Sequence, residues 1–168
     1  MISLPEGEQL KTTESEDSPM PQSLVKILVH IVFSTKDRQR IITPQIEPQL
    51  YGYISGIITN NRGRMIIAGG DADHIHLLAS IGRIDISELI GDIKRDSSAW
   101  MKQQDPLYAK FYWQRGYGAF SIGQSQVPAV SEYIRDQKAH HKSQSYQDEF
   151  RALCAKYEVE IDERYCWD

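Results

Sequence analysis

In the stretch Asp73-His74-Ile75-His76-Leu77-Leu78, two of the chain's five histidines sit one residue apart within a run that otherwise reads as buried strand. Successive strand side chains point to opposite faces, so His74 and His76 share one face while Ile75 and Leu77 share the other. One face asks for apolar cover and the other for polar company, because a buried imidazole without a partner costs about 1–3 kcal/mol. The chain must therefore bring polar groups over one side of a sheet.

The surrounding pattern supplies that sheet. From Leu24, "LVKILVHIVFST" is rich in Val, Ile and Leu and reads as a central strand. "TPQIEPQLYGYISGIITNNRG" follows as a helix ending near Gly63, with Thr43 placed to cap it, Pro44 at its first position, and Ile46, Leu50, Tyr53, Ile54 and Ile57 at helical spacing. "RMIIAGGDADHIHLLASI" gives two apolar runs around "GGDAD", a hairpin with the histidines on its second arm. "DISELIGDIKRDSSAWMKQQ" is a second helix capped by Asp85 or Ser87, with Trp100 on its apolar pattern. "FYWQRGYGAFSIG" is a further strand, and two more helices, "VPAVSEYIRDQKAHHKSQ" and "SYQDEFRALCAKYEV", follow. The order strand, helix, strand, strand, helix, strand predicts an α+β fold of the ferredoxin-like type, shared with RNA-recognition motifs, with an antiparallel sheet, two helices on one face and the other face free for a ligand or partner.

Residues 1–20 carry a net charge of -4 and residues 21–168 are neutral, so the opening segment accounts for the acidity of the chain. Its Ser, Thr, Glu and Pro content predicts a disordered acidic tail over 1–20 ahead of one domain over 21–168. No basic start with an apolar stretch and no long apolar run is present, and Cys154 and Cys166 are too few and too distant for a disulfide framework or Cys-based zinc site. These features predict a cytoplasmic protein.

On the helix beginning at Val127, Val130 and Ile134 extend an apolar stripe, and Tyr133, Gln137 and His141 fall on or beside it, whereas Glu132, Arg135 and Asp136 point elsewhere. Polar groups on the inward face fit a meeting with the histidine pair and a metal. Two imidazoles and an amide oxygen leave coordination positions open, which suits Mg²⁺ or Mn²⁺ completed by water and phosphate oxygens better than a closed zinc site. Tyr133 and Gln137, spaced i, i+4, could then act on one phosphate.

"DHIHLL" resembles the histidine-hydrophobic-histidine (HUH) motif of the single-tyrosine transposases of small insertion sequences and repetitive palindromes. "YIRDQKAHH" resembles their tyrosine helix, and "WQRGYGAFSI" and the closing "DERYCWD" resemble further family segments, so the likeness spans roughly residues 23–168. It implies His74, His76 and Gln137 as metal ligands and Tyr133 as nucleophile, with Asp136 standing where the family usually has asparagine. It also implies a metal-dependent endonuclease and strand transferase that cleaves single-stranded DNA near hairpins through a 5′-phosphotyrosine, working on the nucleoid as a homodimer with composite sites. A free tyrosine titrates near 10, so the phenol needs activation; His140 and His141 are candidate bases.

Lys36, Arg38, Arg40, Lys94, Arg95, His140 and His141 are the candidate nucleic-acid contacts, although the neutral domain gives no whole-molecule field to attract DNA. Ser97 and Ser98 could also reach it, while Trp100 and His30 are assigned to the core. The residues leave other classes open. "RGYGAFSI" is similar to the aromatic signature of an RNA-binding module, but alternation places Tyr117 and Ala119 on one face and Phe120 on the other, which removes one member of a stacking platform. A two-histidine phosphoesterase would need two separate His-x-Ser/Thr motifs, and none falls on a second strand, where His30 is followed by Ile31 and Val32. A domesticated host nuclease acting on palindromic repeats would share every residue named above.

Overall fold

The computed structural model describes residues 24–167; the acidic segment over 1–20 lies outside the described residues. Four strands, β1 (Ile27–Ser34), β2 (Arg64–Asp71), β3 (His74–Ile81) and β4 (Gly118–Ile122), form one sheet in the order β2-β3-β1-β4, every pair antiparallel. Helices α1 (Glu47–Asn60) and α2 (Ile86–Lys102) cross between strands on one face. This is the expected ferredoxin-like arrangement. Val29, Ile31 and Phe33 of β1 and Ile75, Leu77 and Ala79 of β3 point into a core shared with Leu50, Ile54 and Ile58 of α1 and Leu89, Ile90 and Ile93 of α2.

Alternation sends the intervening residues to the other face, and that face is not free. Helices α3 (Val127–Arg135), α4 (Gln137–His140) and α5 (Tyr146–Lys156) cover it. Leu28, Leu78 and Ile122 pack on Val130 and Ile134 of α3, while Val32 and Phe120 pack on Tyr146, Phe150, Leu153 and Cys154 of α5. A face this apolar would lose water-exclusion energy of about 25 cal/mol per Å² if left open, which is why the closing helices settle on it. Tyr157 stacks over Phe120 at 4.7 Å, so no aromatic platform is open to bases there.

Several boundaries depart from the sequence pattern for local reasons. The first helix starts at Glu47, not Pro44: Pro48 has no N–H to give the Pro44 carbonyl, so it fits only in a first turn. Thr43 instead closes the preceding turn, its carbonyl accepting from Ile46 and Glu47. The hairpin turns at Ala72-Asp73, with Asp71 paired to His74, and the two glycines lie inside β2. A Cβ on Gly69 would stand 2.3 Å from the Ile134 carbonyl oxygen, so Gly69 is what lets the end of α3 approach the sheet. The aromatic stretch before β4 is interrupted, not continuous: Trp113 pairs with Thr35 in an isolated antiparallel bridge, and between it and β4 the chain loops out, with Lys94 donating to the carbonyls of Gln114, Arg115 and Gly116 at 2.6–3.0 Å. Asp85 caps α2, accepting from the N–H groups of Ser87 and Glu88.

Candidate active site

The site lies between β3 and the closing helices. His74 and His76, both fully buried, emerge from β3 toward α3, α4 and α5. One helix was expected over 127–144, but the chain leaves helical geometry at Asp136 (φ -91°, ψ 12°), separating α3, which carries Tyr133, from α4, which begins at Gln137. Both side chains still turn inward, and Asp136 is exposed.

His74 is held from both sides. Its Nδ1 lies 2.6 Å from Asp73 Oδ1 and its Nε2 lies 3.0 Å from Gln137 Oε1. Both nitrogens of His74 thus face oxygen atoms, a carboxylate on one side and an amide on the other. His76 Nδ1 lies 2.9 Å from His30 Nε2, and its own Nε2 has no hydrogen-bond partner. Burial pushes His30 down to about 3, helped by His76, and pushes His76 down to about 4. Both are neutral near pH 7, the state in which an imidazole ligates metal. His30, assigned to the core, is therefore also the partner that orients His76.

At the centre sits Glu149, only 2% exposed. The Tyr133 hydroxyl donates to its Oε1, as does Gln137 Nε2 at 2.7 Å, while Oε2 accepts from His141 Nε2 at 2.5 Å and lies 3.6 Å from His74 Nε2. Burial opposes its ionisation, but the hydrogen bond from His141 and the other surrounding groups hold it well below the usual carboxylate range. The same carboxylate raises His141 against the effect of burial. Burial first, then the neighbouring Glu149, push the Tyr133 phenol well above its ordinary value. The ligand atoms of His74, His141 and Glu149 all lie within 4.8 Å of one another.

Sequence reasoning missed Glu149, although a signal was present: Tyr146, Glu149, Phe150, Leu153 and Cys154 form one i, i+3, i+4, i+7 stripe, and a carboxylate in an apolar stripe needs a reason. Of the candidate nucleic-acid contacts, His141 is in the site and the His140 ring lies 5.1 Å from that of Tyr133. Arg38 and Arg40 line a cleft of about 490 Å³ with Asp73, His141 and Lys142, while Lys36 is exposed on a separate cleft with Tyr112 and Trp113. Lys94 is occupied by its three carbonyls and lowered to about 8 by burial. Arg95 is paired with Asp92 and Asp96, and Ser97 is buried beneath Trp113, accepting its indole N–H at 2.9 Å.

A family model described as "Transposase IS200 like" matches residues 23–137. The chain belongs to the IS200-like transposase family. Its fold is similar to that of a Deinococcus radiodurans R1 protein described as a transposase, at 19% identity and a TM-score of 0.55, over 70% of this chain and 95% of the other. It is also similar to a REP-associated tyrosine transposase whose structure holds a REP hairpin, at 15% identity and a TM-score of 0.55, over 74% of each chain. Among curated proteins there is no match. The family match of this transposase takes in both histidines, Tyr133 and Gln137 and stops short of α5. Glu149 thus joins the constellation from outside the matched segment.

Proposed function

We propose that this transposase is a divalent-metal-dependent endonuclease and strand transferase of single-stranded DNA, cleaving beside hairpins with Tyr133 as nucleophile. The observation that carries the reading is the convergence of a helical phenol, a side-chain amide and two buried imidazoles on one buried carboxylate. The donor set fits Mg²⁺ or Mn²⁺: the unpartnered His76 Nε2 and the His74 Nε2, which faces two oxygen acceptors, are both relieved by a cation, and Gln137 Oε1 adds the oxygen such ions favour. His74, His76 and Gln137 would hold it, and it would supply Lewis-acid neutralisation of the phosphate's non-bridging oxygens.

The remaining chemistry belongs to the chain. Tyr133 attacks the scissile phosphorus, its oxygen forming the 5′-phosphotyrosine as the 3′-oxygen leaves and takes up a proton. Glu149 Oε1 holds the phenol hydrogen before attack. Asp73 and His30 keep the two imidazoles in the tautomers that face inward. A cleft of about 440 Å³ lined by His30, Gln126, Tyr133, Glu149, Lys156 and Tyr157 gives the strand a way to the phenol. One phosphodiester is exchanged for another, so the energy of the broken bond is kept for rejoining.

The hairpin seen with the REP-associated neighbour supports a hairpin substrate here, with Arg38 and Arg40, in the cleft beside His141, and the exposed Lys36 as phosphate contacts. The protein would act on DNA at the nucleoid. A homodimer with exchanged tyrosine helices would set Tyr133 against the partner subunit's histidines, whereas within one chain the Tyr133 ring lies 5.8 Å from that of its own His76. Labelled single-stranded hairpin DNA incubated with protein and Mn²⁺ tests the reading on a denaturing gel. A downstream fragment linked to the protein through its 5′ phosphate supports it, and metal-independent RNA binding with no adduct would replace it with a binding module.

A further inference from the structure

We propose that Glu149 of α5 is itself a ligand of the divalent cation, so that a helix outside the family-matched segment completes the metal site. This rests on the metal dependence proposed above and deepens it. Three observations point to it. His76 Nε2 is buried, without a hydrogen-bond partner, and lies 3.4 Å from Glu149 Oε1. His74 Nε2 lies 3.6 Å from Glu149 Oε2 and 3.0 Å from Gln137 Oε1, so one buried nitrogen faces the carboxylate and the amide oxygen together. A cation set between these nitrogens and oxygens would be shared by all of them.

The third observation concerns charge. Two neutral imidazoles and an amide bring no negative charge to a divalent ion, and Mg²⁺ in particular is usually bound through one or two carboxylates. Glu149 is the only acidic side chain classed as buried among the described residues, and it sits between the two histidines. Its position also links the ion to the nucleophile, because the carboxylate that would ligate the metal is the one that receives the Tyr133 hydrogen bond.

The test measures Mn²⁺ binding to the full chain without DNA, by calorimetry. Wild-type protein should bind Mn²⁺; His76→Ala should lose it, and Glu149→Gln, which keeps the shape and a carbonyl oxygen, should weaken it by about tenfold or more. Loss in His76→Ala with unchanged affinity in Glu149→Gln overturns the role of Glu149 and leaves the metal reading standing. No binding by the wild type overturns both. Anomalous diffraction from wild-type crystals soaked in Mn²⁺ avoids any dependence on how the variants fold. An oxygen of Glu149 bonded to the ion supports the assignment, and an ion on His74 and His76 with Glu149 bonded only to His141 and Tyr133 overturns it.

Discussion

The Tyr133 hydroxyl donates its hydrogen bond to Glu149, sixteen residues further along the chain and on a different helix. The surroundings of the Tyr133 phenol are thus set by the packing of α5 against the sheet as much as by the helix that bears the tyrosine. Replacing Tyr133 by Phe removes the phenol and one of the hydrogen bonds to a buried carboxylate. The expected outcome is complete loss of the covalent DNA adduct with hairpin binding retained in a mobility-shift assay, and a loss of about 1–3 kcal/mol in urea unfolding.

His30 should matter for metal although it would not touch it. Its Nε2 is the partner of His76 Nδ1, and His76 Nε2 would be free to ligate only in the tautomer that donates from Nδ1 to His30. His30→Ala should lower Mn²⁺ affinity by about 10–100-fold in calorimetry, the range for removing an outer hydrogen-bond partner of a ligand. Unchanged affinity would show that packing alone orients His76.

The buried imidazoles predict acid sensitivity in metal-free protein. Unfolded, each histidine titrates near 6.5; folded, His30 sits at about 3 and His76 at about 4. Between those values the unfolded chain binds more protons, so their contribution is complete above pH 6.5 and is lost as the pH falls toward 4. His141, raised by Glu149, works in the opposite direction, adding stability at low pH that fades as the pH rises through its folded value. Two groups outweigh one, so in EDTA the melting temperature should fall between pH 7 and pH 5, and His30→Phe should flatten the fall.

Gly69 faces the Ile134 carbonyl so closely that any Cβ must displace backbone. Gly69→Ala should cost about 1–3 kcal/mol in urea unfolding, the range for forced overpacking. It should also lower adduct yield by pushing α3, and with it Tyr133, off the sheet.

Much of this was legible in residue patterns because strand alternation and helix spacing report which faces are buried. The pairing of His74 with His76, the inward turn of Tyr133 and Gln137, and the order of the first six elements all follow from period alone. What escaped was long-range. Nothing local says that "SYQDEFRALC" returns to the histidine face, so Glu149 could be noticed as a carboxylate in an apolar stripe but not placed. Lys94 read as a free cation because its three carbonyl partners lie twenty or more residues away. The glycines of "GGDAD" read as turn because their true neighbour, the Ile134 carbonyl, belongs to another element.

The most direct measurement is the chemical location of the DNA linkage. After reaction of single-stranded hairpin DNA with the protein and Mn²⁺, followed by nuclease and trypsin digestion, the peptide spanning residues 116–135 should carry a phosphonucleotide. Fragmentation should place it on Tyr133 and not on Tyr117, the other tyrosine of that peptide. A linkage at any other residue, or an adduct that persists in Tyr133→Phe, would contradict the account.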